Sequence, residues 1–244
     1  MTVAAKNFQM WLSHVAGSTS QAAVCRAAGI KRSTLAQQLV RGRVSLATIA
    51  AVSRSLDLPV VASLSVFPDL EDLVSGIKAP TTAELLSQIS DADLLQEILN
   101  RNVAAETGND PIPVELSPIP HRSSVRAWLD AIDPTDLRQK VARNAAMAPQ
   151  NLSAQISANR LSAELAIDSA RIAGVGLTNG LVATGFLSPA EAGWAAGACA
   201  SALRGTANSV LASLAAERLE ALSRVLRRSE DDTAAARNVW EYLG

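Results

Sequence analysis

Apolar positions recur every three or four residues along most of this chain, the spacing of one helical face. In "NFQMWLSHVA", Phe8, Trp11, Leu12 and Val15 share such a face, and Gly17 ends the segment. "SQAAVCRAA" predicts a short second helix capped by Thr19 or Ser20 and followed by Gly29. "STLAQQLVRG" predicts a third, stopping at Gly42, and Ser45 caps a fourth, "LATIAAVSRSL", which ends before Pro59. Residues 60–73 add a fifth element. Val24, Leu35, Leu39 and Ile49 face inward in this scheme. No run of β-branched residues alternates with polar ones, so the expectation is an all-α protein.

The same pattern returns 117 residues later without a gap. Residues 11–70 aligned on 128–187 give twelve identities in sixty: Trp11/Trp128, Leu12/Leu129, Val24/Val141, Arg26/Arg143, Ala28/Ala145, Leu35/Leu152, Gln38/Gln155, Arg43/Arg160, Ser45/Ser162, Arg54/Arg171, Leu64/Leu181 and Leu70/Leu187. Chance would give about four in so alanine-rich a chain, and looking for such repeats precedes any reading of fold. Apolar exchanges such as Ile30/Met147 and Leu39/Ile156 keep register. Two copies of one helical unit are therefore expected, with Trp11 and Trp128 anchoring the first helix of each.

Between the copies, "TTAELLSQISDADLLQEILNRNVAAE" reads as acidic amphipathic helices, with Thr81 and Glu84 as a capping box. "TGNDPIPVELSPIPHRSS" follows and, with four prolines, is expected to be an extended, stiff linker. Its length would let the two copies reach successive turns of a long ligand. After the second copy, Ser188, Pro189 and Glu191 signal a helix start. "ANSVLASLAAERLEALSRVLRR" carries an apolar stripe that packs on its own domain or on a second chain, and Trp240 and Leu243 are expected to dock back. The expected domains are residues 1–75, 76–122, 123–187 and 188–244.

Charge changes the picture. The net charge is −1, yet residues 1–56 carry seven basic groups and no acid. Residues 57–136 reverse this with fourteen acids against four bases, and residues 137–163 hold only Arg138, Lys140, Arg143 and Arg160. Acid-free blocks suit a polyanion, because each phosphate contact releases condensed counterions. A solvated helical face would normally intersperse both signs.

Two short helices joined at a glycine form a helix-turn-helix. Residues 20–60, "SQAAVCRAAGIKRSTLAQQLVRGRVSLATIAAVSRSLDLPV", resemble the DNA-binding domain of the lambda-repressor/Cro family. The residues that carry the resemblance are Ala23 or Ala27, Gly29-Ile30, Ser33-Thr34, Arg41-Gly42 and Ser45-Leu46. The second helix departs from the family in lacking acids and carrying Cys25. The resemblance implies that the third helix enters the major groove of double-stranded DNA. Lys31, Arg32, Ser33, Thr34, Gln37 and Gln38 would then face base edges, Gln suiting adenine and Arg or Lys guanine. Arg26, Arg41, Arg43 and Arg54 would hold phosphates, with Gln21 as a clamp by analogy. In the second copy, Gln150, Asn151, Ser153 and Gln155 take the base-reading positions. Arg138, Lys140, Arg143 and Arg160 take the phosphate positions. Pro149 suits the first turn of that helix.

The implied fold is two tandem lambda-repressor-like helix-turn-helix domains, joined by acidic helices and a Pro-rich linker, with a C-terminal helical extension. The implied function is a sequence-specific transcriptional repressor resembling a phage immunity repressor. The alternative is a helical protein-interaction module, antitoxin-like or binding a host factor. Enzyme chemistry is not expected: His14 and His121 have no nucleophile constellation, and there is no phosphate-binding glycine loop. Cys25 and Cys199 are too few for a disulfide framework or metal site, and no cofactor is expected. No apolar run approaches the roughly 20 residues of a membrane span, which points to a cytoplasmic protein. A homodimer through the C-terminal helices is the remaining partner expectation.

Overall fold

The helical periodicity is realised along most of the chain. The computed structural model describes residues 1–243, with side chains up to Asp231 and at Thr233. The expected docking of Trp240 and Leu243 lies outside the described side chains. The protein is all-α apart from one ribbon that periodicity did not predict. In it, β1 (Thr2–Ala4) pairs antiparallel with β2 (Arg43–Ser45), Val3 opposite Val44. Both valines are buried, which gives these three-residue strands a reason to pair.

The first series of helices is α1 (Ala5–Ala16), α2 (Gln21–Ala27), α3 (Arg32–Val40), α4 (Leu46–Ser55) and α5 (Val60–Leu64). Then come α6 (Thr82–Ser87) and α7 (Asp91–Thr107). The second series is α8 (Ser124–Ile132), α9 (Leu137–Asn144), α10 (Pro149–Ser157), α11 (Ala163–Ala173) and α12 (Asn179–Ala183). The chain ends with α13 (Ala198–Gly205) and α14 (Asn208–Leu243). Helices α3 and α10 coincide at both ends under the 117-residue shift. Ser45 and Ser162 each cap the next helix, accepting from Thr48 N and Leu165 N. The repeat seen in the sequence is thus a repeat of backbone.

The chain divides into two compact units, whose limits differ from those of the four expected domains. One unit is Met1–Gln88 with Ile119–Ala198; the other is Ile89–Pro118 with the chain from Cys199 onward. Both copies belong to the first. The reason is a set of contacts that sequence periodicity does not display. Leu177 N donates to Gly76 O at 2.9 Å, and Lys78 Nζ to Gly174 O at 3.1 Å. Arg54 lies on Glu191 at 2.6 Å, and Arg171 on Asp72 at 2.8 Å. Fully buried Glu84 of α6 accepts from Trp128 Nε1 and Asn179 Nδ2 through Oε1, while Oε2 accepts from Thr81 N. Asn179 in turn accepts from Trp194 Nε1. The capping box at Thr81 therefore also aims a carboxylate into the second copy.

Both anchoring tryptophans are buried. Trp11 packs between Phe8 and Phe67, each ring centroid 5.7 Å away. Trp128 lies so close over Gly180 that a Cβ there would stand 2.5 Å from its ring. The Ser188 start is capped, with Ser188 N on Glu191 and Glu191 N on Ser188 Oγ, but it is a single turn that Gly193 at φ 84° ends.

In the other unit α7 packs on α14. The Arg101 guanidinium donates to Leu203 O, Thr206 O and Asn208 Oδ1 while Glu97 holds its Nε. It thereby ties the last turn of α13 and the turn after it to α7. Arg218 donates to Ile89 O at 2.7 Å. The Pro-rich segment is not a free spacer: Ser117 N and Oγ bind Asp93, and Asn100 Nδ2 binds Ile112 O. This removes the linker as the means by which the copies would reach separate sites.

Candidate nucleic-acid interface

The α2–α3 junction is built from a local rule. Ser20 accepts from Ala23 N at the start of α2. At its end Ile30 N donates to Cys25 O and Gly29 N to Arg26 O, the two bonds of a Schellman motif. Gly29 takes the required left-handed conformation, at φ 65°. Half-buried Ile30 then plugs the angle, and α3 leaves in a direction fixed by backbone hydrogen bonds. The second copy repeats the motif, with Met147 N on Ala142 O and Ala146 N on Arg143 O. There Ala146 holds φ 47° and Asn159 φ 52°, where copy one has Gly29 and Gly42.

Helix α3 buries Leu35 and half-buries Gln38 and Leu39, which leaves the opposite side to solvent. Lys31, Arg32, Ser33, Thr34 and Gln37 are all exposed there, and Arg41 and Arg43 follow at its C-terminal end. Gln21 and Arg26 of α2 are exposed as well, and Gln21 shares a shallow groove of about 300 Å³ with Arg32, Ser33 and Ala36. Lys31 at the N-cap makes no side-chain capping bond; Thr34 N donates to Lys31 O, which leaves the N–H groups of Arg32 and Ser33 as the open donors at the start of α3. Among the described residues, the ion pairs include none of Arg26, Lys31, Arg32, Arg41 or Arg43.

One side chain escaped the sequence reading. Val40 is 89% exposed, one turn along from Ala36 and two from Ser33. The signal available was its helical spacing from Ser33 and Gln37. An exposed valine there offers apolar contact of the kind a thymine methyl receives.

Four of the expected contact residues have partners within the chain. Gln38 Oε1 accepts from both Ser45 N and Thr48 Oγ1 at 3.0 Å. Both lone pairs are used, so the bidentate adenine contact is not open to it. Arg54 grips Glu191 through Nε and Nη2 and also reaches Phe186 O. That bond lowers the Glu191 carboxyl to about 2, with burial opposing and Ser188 N assisting. Arg54 thus joins the two copies instead of awaiting a phosphate. In copy two Arg138 is paired with Asp130, and Lys140 with Asp136 at 2.7 Å. The basic block of residues 137–163 is acid-free in sequence only, because acids just upstream fold onto it.

In copy two Gln150, Asn151, Ser153, Arg143 and Arg160 are exposed without an ion-pair partner among the described residues, Lys140 is exposed beside Asp136, and Gln155 is half-buried like Gln38. This face has the same frame as copy one and fewer free cations. No helix among the described residues is long and apolar enough to cross a membrane. No family model, curated protein or solved structure matches the chain.

Proposed function

We propose that this protein is a sequence-specific double-stranded DNA-binding transcriptional repressor with two lambda-repressor-like helix-turn-helix copies, of the phage immunity kind. The observation that carries the reading is the α3 surface: five exposed cations, in no ion pair among the described residues, surround a helix whose outward side chains include Ser33, Thr34, Gln37 and Val40. Arg32, Lys31, Ser33, Thr34 and Gln37 would meet base edges in the major groove, while Arg26, Arg41, Arg43 and Gln21 would set orientation on the phosphates. Repression would follow from occlusion of a promoter in the cytoplasm, without catalysis.

The test is affinity for a duplex selected from a random pool, compared with a scrambled duplex over a salt series. The reading expects a selective margin that survives at physiological salt and a steep fall of both affinities with salt. Equal affinity for the two duplexes, or no salt slope, overturns it.

A second reading, a protein-interaction module or C-terminal homodimer, has its own support. Leu219, Leu222, Val225 and Leu226 are exposed on α14, past the buried Leu211 and Ala215. A concentration-dependent mass that Leu222→Asp abolishes would favour that contact.

A further inference from the structure

The contacts between the copies are reciprocal. Arg54 and Arg171 are the same position under the 117-residue shift, and each reaches into the other copy. Arg54 meets Glu191, whose counterpart is position 74 of copy one, and Arg171 meets Asp72. Phe186 O, counterpart of position 69, also accepts from Arg54. From copy two, Gly174 and Leu177, counterparts of 57 and 60, meet Lys78 and Gly76. At the middle of the set a Cβ on Gly193, counterpart of position 76, would stand 3.2 Å from Ile77. In each direction the arginine at the end of the fourth helix meets the segment beyond the fifth, and from copy two the turn after that helix adds Gly174 and Leu177.

Such a pattern tells two arrangements apart. In a head-to-tail array Arg54 would reach forward to the second copy, and Arg171 would reach forward to a third copy that this chain lacks. A two-fold arrangement makes residue i meet j while j meets i. Arg171 reaches back, which excludes the head-to-tail array and is what an approximate two-fold axis near Ile77 and Gly193 would produce.

We infer that one chain reads an inverted repeat of two unequal half-sites, α3 taking a strong half and α10 a weak one. The inference rests on the DNA-binding reading above. Two-fold symmetry in a helix-turn-helix dimer is mirrored by inverted half-sites about one helical turn apart, and this chain carries the symmetry internally. The halves differ because the readers differ: Arg32, Ser33 and Thr34 stand where copy two has Pro149, Gln150 and Asn151. The weaker half follows from Arg138 and Lys140 being held by Asp130 and Asp136.

The experiment is selection from random duplexes with the full chain, the Arg32→Ala chain and the Gln150→Ala/Asn151→Ala chain, each checked by circular dichroism for retained helix. All three substituted positions are on surfaces, apart from the core. The expected result is an inverted, unequal pair of half-motifs. Arg32→Ala should cost roughly tenfold or more in discrimination at the strong half only, and the α10 variant should erase preference at the weak half only. A direct repeat overturns the two-fold. A motif that ignores the α10 variant, or in which Arg32→Ala relaxes both halves, means that α3 alone reads DNA; the inference then fails while the DNA-binding reading stands. No enriched motif overturns both.

Discussion

Arg54 and Arg171 hold the same place in the two copies, 117 residues apart, and each guanidinium binds a carboxylate beyond the fifth helix of the other series: Glu191 at 2.6 Å and Asp72 at 2.8 Å. A position that looked like a phosphate contact in the sequence is a clasp in the fold. The pairing has a pH consequence. Glu191 titrates near 4.5 when free and is lowered to about 2 here. A depressed carboxyl contributes stability above its unfolded value and loses it as pH falls through the folded one. The Arg54–Glu191 contribution should therefore be complete above pH 4.5 and vanish as pH falls from there toward 2. Urea midpoints of the parent and Glu191→Gln chains measured across this range should converge at the acid end.

Gln38→Ala is expected to act on stability and to leave base preference unchanged. Its Oε1 satisfies Ser45 N and buried Thr48, and losing both bonds should cost about 1–3 kcal/mol. Denaturant unfolding and a repeated duplex selection check the two halves of this statement.

Gly29 and Ala146 occupy the same left-handed turn position, at φ 65° and 47°. An L-residue with a Cβ is strained there, so Ala146→Gly should stabilise the chain by about 1 kcal/mol and Gly29→Ala should destabilise it by a similar amount. A Cβ at Gly29 meets nothing within 4 Å, so conformation alone sets the sign. Thermal melts of the two variants provide the measurement.

Arg32→Ala and Arg41→Ala should separate specificity from affinity. Arg32 lies at the start of α3 and Arg41 at its end. The first change should narrow the gap between selected and single-base-variant duplexes. The second should weaken binding to every duplex alike and reduce the salt slope by about 1. Titrations at two salt concentrations distinguish these outcomes.

Local chemistry made much of the fold legible. The Schellman turn at Gly29, the caps at Ser20 and Ser45, the capping box at Thr81 and the 117-residue repeat depend on neighbours within a few residues, or on direct comparison. What sequence could not display was long-range closure. Arg54 reads as a free cation because its partner lies 137 residues away. Arg138 and Lys140 read as an acid-free patch because Asp130 and Asp136 fall just outside the block in sequence. The Pro-rich stretch reads as a spacer until Asp93 is seen to hold Ser117. The family resemblance puts Gln38 among the base readers, yet Ser45 and Thr48 turn it inward. In each case a polar group had a partner that periodicity cannot reveal.

Site-specific photocrosslinking tests the central claim most directly. A benzophenone side chain placed at Ser33, at Val40 or, as a reference, at exposed Leu99 of α7 would be irradiated with a selected duplex. The account predicts crosslinks to bases of the duplex from positions 33 and 40 and none from 99. Crosslinking from 99 with silence at 33 and 40 would contradict it.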